Sequence, residues 1–226
     1  MSPTHDEHPT LAELDRDGAI EEAAAGVDGA TRAAFLRRTG ALVGGGMALG
    51  AIPIALAGAE GGGLPSGDVK ILNFALTLEY LEAAFYKEAV SKGALKGGAA
   101  TFAQTVSEHE AAHVETLKKT LGSKAVAEPK FDFKGTTSSE GTFLKTSMTL
   151  EDTGVEAYEG QVGNIKTPAV LMAAGSILPV EARHASWVRD IIGAGKAPTP
   201  APAAFNPSMS MSMVLSAVKA TGFIKA

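Results

Sequence analysis

Two Glu-x-x-His pairs, Glu110-Ala-Ala-His113 and Glu181-Ala-Arg-His184, constrain the fold of this chain more than any other feature. Residues three apart on a helix share a face, so each pair aims a carboxylate and an imidazole at one point. Both pairs lie in stretches whose apolar residues recur every three or four positions, the signature of helices with one face turned inward. Charged groups on such faces are costly unless something in the interior meets them.

The helical stretches number four. The first follows Asp68, a candidate N-cap, and carries Ile71, Phe74, Ala75, Leu78, Leu81, Ala84 and Phe85 to about Ser91. The second runs from about Ala99 to Leu121 and stops at Gly122. The third, capped by Ser138 or Ser139, reaches about Val162, and the fourth starts at Pro168 and continues to about Ile192. The links at Gly93–Gly98 and Gly163–Pro168 are short, whereas residues 122–138, with Pro129 and Gly135, form a long one. Short links make antiparallel hairpins, and a long middle link lets the second hairpin cross over onto the first. The expectation is an all-α antiparallel four-helix bundle with one long crossover between helices two and three. Pro179, inside helix four and two residues before Glu181, is expected to kink that helix.

The first and third helices contribute further carboxylates in apolar surroundings: Glu79 or Glu82, and Glu156 or Glu159. One Glu from each of two helices plus Glu-x-x-His from each of the other two is the donor set of a carboxylate-bridged dimetal centre. Four carboxylates balance two divalent cations, and oxygen donors with some imidazole suit iron or manganese. Without cations such a cluster would suffer both repulsion and desolvation. Of the three histidines beyond residue 59, two lie in the motifs; the third, His109, reads as a surface residue or a neighbour of the ligands. Asp152 either orients a ligand histidine or serves as an ordinary cap or surface carboxylate. Tyr80, Tyr86, Tyr158 and Trp187 read as core residues.

Leu72-Asn-Phe-Ala-Leu-Thr-Leu-Glu79 resembles the first-helix run that supplies a ligand in bacterioferritins, which selects Glu79 over Glu82. Asp152-Thr-Gly-Val-Glu156 resembles their third-helix run and favours Glu156 over Glu159. With Val180-Glu-Ala-Arg-His-Ala-Ser-Trp187, the chain is similar to ferritin-like proteins, and most to exported members of the desiccation-related branch. The resemblance spans about Asp68 to Ile192. It implies a ferritin-like bundle with two Fe or two Mn ions, iron slightly favoured, on Glu79, Glu110, His113, Glu156, Glu181 and His184. It further implies chemistry on dioxygen or peroxide, as a ferroxidase, oxidase or catalase-like enzyme in stress protection. The alternative is a non-catalytic stress or envelope protein with a structural or vestigial metal site.

Residues 1–59 read differently. They hold eight acidic side chains against four arginines, so 17 acidic and 16 basic groups of the chain's 25 and 20 remain for the rest. A body so nearly neutral, without a basic stripe, excludes nucleic acid as the main partner. Residues 1–30 have the composition of a disordered segment. Arg32, Arg37 and Arg38, the uncharged run Thr39–Ala59 and its end Ala57-Gly-Ala59 have the layout of an export signal. It resembles a twin-arginine signal, although Arg37-Arg38 is followed by Thr-Gly-Ala instead of bulky apolar residues. The expectation is export with transient contact to the export machinery, the runner-up being an uncleaved membrane anchor. Residues 60–67 form a linker. Beyond Gly193, Pro198, Pro200, Pro202 and Pro207 enforce an extended strap, followed by a short helix or packing segment within Met209–Phe223. The Met209-Ser-Met-Ser-Met213 alternation reads as adaptable packing instead of a copper site. The absence of cysteine excludes disulfides and thiolate metal sites. A homo-oligomer is compatible with all of this.

Overall fold

The computed structural model describes residues 63–225; the expected leader, its Arg37-Arg38 pair and Ala57-Gly-Ala59, and residues 60–62 of the linker lie outside the described residues. Four long helices carry the structure: α1 (Ser66–Lys92), α2 (Gly97–Leu121), α3 (Glu140–Val162) and α4 (Pro168–Gly193). A shorter α5 spans Met211–Thr221. Among the described residues there is no strand, and no helix is long and apolar enough to cross a membrane.

The local chemistry explains the boundaries. Gly93, in the left-handed region at φ 62°, ends α1. The Ser139 hydroxyl caps α3 by accepting from the Thr142 N–H, and Pro168 stands in the first turn of α4. Asp68 departs from its expected role. Helix α1 begins before it, and its buried carboxylate accepts from the backbone N–H groups of Lys166 and Thr167 at 2.9 and 2.8 Å. It therefore ties the start of α1 to the α3–α4 turn. Pro179 leaves α4 continuous: it sits on the exposed face while Glu181 and His184 point inward.

Helices α1 and α2 pack as one hairpin and α3 and α4 as another, joined by the long connection 125–139. Two apolar layers fill the bundle. One is built around Phe85, Tyr86, Phe102 and Phe143, with the Phe85 and Phe143 rings stacked at 5.5 Å. The other holds Ile71, Leu76, Leu117, Leu121, Val170 and Ile177. Between them, at mid-helix on all four helices, lie buried Glu79, Glu82, Glu110, Glu151, Glu181 and His184.

The segment after α4 returns along the second hairpin. The Met209 N–H donates to the Glu156 carbonyl, Val214 and Val218 of α5 enter the first apolar layer, and Phe131 bridges to Ile224. Met209 and Met211 are partly buried against the core, as a packing segment requires. The strap approaches so closely that Gly160 has no room for a Cβ beside the Met209 carbonyl. Substituting Gly160→Ala should cost about 1–3 kcal/mol. Urea unfolding should show this as a lowered midpoint with an unchanged slope.

Candidate metal centre

Glu110 and His113 lie one turn apart on α2, and Glu181 and His184 one turn apart on α4. Helix α1 adds Glu79 and α3 adds Glu151. These six side chains form two overlapping groups. Glu79, Glu110, His113 and Glu181 make one, and Glu110, Glu151, Glu181 and His184 the other, with the donor atoms within each no more than 4.8 Å apart.

Glu110 and Glu181 belong to both groups because each divides its oxygens between them. His113 Nδ1 lies 3.2 Å from Glu110 Oε2 and 3.0 Å from Glu181 Oε1. His184 Nδ1 lies 3.1 Å from Glu110 Oε1 and 3.8 Å from Glu181 Oε2. The outer carboxylates each serve one half-site: Glu79 Oε2 is 3.1 Å from His113 Nδ1, and Glu151 Oε2 is 3.2 Å from His184 Nδ1. Glu110 Oε1 and both oxygens of Glu181 are buried and, the two imidazoles aside, have no hydrogen-bond partner among the described residues. Orphaned carboxylate oxygens at the junction of two half-sites fit a pair of divalent cations, which bridging carboxylates would bind together.

Neighbouring side chains orient the donors. Tyr158 of α3 donates to Glu79 Oε1 at 2.5 Å, and Tyr86 of α1 donates to Glu151 Oε1. His184 Nε2 lies 2.8 Å from His109 Nδ1, and the two rings stack. The His184 tautomer that leaves Nδ1 open to a cation is the one whose Nε2–H donates to His109. His109 is thus a neighbour of a candidate ligand. Asp152, by contrast, forms an ion pair with Arg189 at 2.5 and 2.6 Å and does not orient a histidine.

Glu156 does not join the centre, which corrects the expected third-helix ligand. Five residues amount to ~140° around a helix, so Glu151 and Glu156 cannot share a face. Glu156 instead lines a surface cavity with Asp152, Arg183, Arg189 and the strap, and its carboxyl is pushed up by burial and by Asp152. The overlooked signal is an internal repeat. Glu79 and Tyr86 are seven residues apart, as are Glu151 and Tyr158; Glu110-x-x-His113 follows the first pair and Glu181-x-x-His184 the second. Counting from the tyrosines selects Glu151 at once.

Electrostatics in the apoprotein follow from this crowding. Burial alone would lower the His113 pKa, but the Glu79 charge and contacts with Glu110 and Glu181 raise it strongly. Burial opposes the charge on His184 as well, yet Glu110, Glu151 and Glu181 push its pKa up to about 12. Burial would raise the Glu181 carboxyl, and the two imidazoles instead hold it down to about 2. Glu151 rises to about 7 through burial, against the pull of His184. Imidazolium groups thus stand where cations would bind.

A sequence profile described as the ferritin-like domain matches residues 67–194. The chain belongs to that family. No curated protein sequence gives a match. The all-α ferritin-like bundle is as expected from the sequence, and its mid-bundle Glu/His groups are compatible with a metal site.

Two outcomes test this geometry. Glu151→Gln should weaken binding of one divalent ion by about tenfold or more, whereas Glu156→Gln should leave both ions bound. Metal analysis after gel filtration distinguishes them. Because the acids around them push both imidazoles up, loading the ions should release protons, and affinity should rise with pH. Calorimetry in buffers of different ionisation enthalpy measures that release.

Proposed function

We propose that this ferritin-like protein is a dinuclear iron or manganese carboxylate protein acting on dioxygen or peroxide in stress protection. The observation that carries the reading is the division of Glu110 and Glu181 between two half-sites, each completed by one histidine and one outer glutamate. Two bound redox-active ions would supply and accept the electrons that reduction of dioxygen or disproportionation of peroxide requires.

The chain's own residues supply the setting. Glu79 and His113 complete one half-site, and Glu151 and His184 the other. Tyr158 and Tyr86 fix the outer carboxylates from the opposite helix, and His109 fixes the His184 ring. The apolar layers on either side keep bulk water from the donors. His113 retains 11% exposure of its side chain, whereas the glutamates around it are buried.

The resemblance to exported desiccation-related proteins and the leader-like run 31–59 support an exported protein, in the periplasm, the envelope or outside the cell. Its partners in this reading are the metal ions, dioxygen or peroxide, and transiently the export machinery.

Anaerobic loading of the apoprotein with Fe(II) or Mn(II) tests the proposal. Two ions per chain are expected, with consumption of dioxygen or peroxide that Glu110→Ala abolishes. Two ions without turnover of either oxidant would leave the non-catalytic alternative in its place.

A further inference from the structure

Glu82 is not accounted for by the six-residue centre. It lies one turn after Glu79 on α1 and is only 4% exposed. In the internal repeat its counterpart is Gly154, three residues after Glu151, so this carboxylate breaks the twofold pattern. Gly154 faces it directly. A Cβ at Gly154 would stand 3.5 Å from Glu82 Oε1 and 3.5 Å from Glu181 Oε2, which puts those two oxygens within 7.0 Å of each other. Glu181 Oε2 is the oxygen on the His184 side, 3.8 Å from His184 Nδ1, and it is buried without a hydrogen-bond partner among the described residues.

Around Glu82 the acids of the centre outnumber its two imidazoles. The charged groups that bear on it most are Glu151, Glu181, Glu110 and Glu79, all carboxylates, with Glu151 foremost. A buried carboxylate among carboxylates needs a proton or a cation. Four carboxylates already balance two divalent ions, so a fifth supplies charge that favours tighter binding on the side where it lies.

Resting on the dinuclear reading, we propose that Glu82 is a seventh ligand, adding an oxygen to the Glu151–His184 half-site and making the two half-sites unequal. That half-site then draws on four carboxylates (Glu82, Glu110, Glu151, Glu181) and the other on three (Glu79, Glu110, Glu181). The space left by the missing side chain at Gly154 is what lets Glu82 reach inward.

Anaerobic Mn(II) titration of the full-length apoprotein, followed by calorimetry and electron paramagnetic resonance, tests this. The wild-type protein should bind two ions with separable affinities. Glu82→Gln should still bind two, with the tighter constant weakened about tenfold or more and the weaker one little changed. Glu82→Asp keeps the charge but shortens the reach by one methylene, and it should behave like Glu82→Gln. Wild-type constants in either variant, or equal weakening of both ions, would overturn the proposal. Should one variant fail to show a cooperative thermal transition, the other decides the question. Fewer than two ions on the wild-type protein would refute the dinuclear reading itself, whereas two ions with constants unaffected by Glu82→Gln refute only the role of Glu82.

Discussion

Mutual repulsion among buried carboxylates governs this bundle. Five glutamates share the middle layer, and carboxylates in a medium of low polarity repel strongly unless cations stand among them. In the apoprotein the two imidazoles take that role, each raised by the acids around it. The rest of the architecture follows from keeping these groups opposed. Four helices are needed to bring donors from four directions, and aromatic and aliphatic layers above and below hold the helices at the required spacing.

Much of this was legible in the chain. Periodicity and link lengths indicated four helices in two hairpins with a crossover, because those features depend on local chemistry and chain reach. The Glu-x-x-His pairs located two half-sites because three-residue spacing has a fixed meaning on a helix. Asp68 was misread because an acidic residue near a helix start also serves a distant turn, here the backbone of Lys166 and Thr167. Nothing local distinguishes the two roles. The orienting role of His109 depends on its approach to His184, 75 positions away, which only the folded chain reveals.

The third helix is the more instructive case. A short resemblance pointed to Glu156, whereas the helical face selects Glu151. The repeat linking Glu79–Tyr86 with Glu151–Tyr158 carried the right answer, because each tyrosine crosses to the glutamate of the other hairpin. That crossing is physical: the hydroxyl of one hairpin steadies one oxygen of the other hairpin's acid, while the second oxygen meets the histidine of its own hairpin. Glu82 and Gly154 show where the two halves have diverged.

The returning tail changes how the molecule comes apart. It leaves α4, runs beside α3 through the Met209–Glu156 bond, inserts Val214 and Val218 into the interior, and ends paired with the crossover near Phe131. The crossover in turn packs Phe133 on Phe85 of α1. The tail therefore acts as a buckle across the seam between the hairpins. Opening that seam also breaks the tail's contacts with α3 and the crossover, so they add to what keeps the acidic interior from solvent.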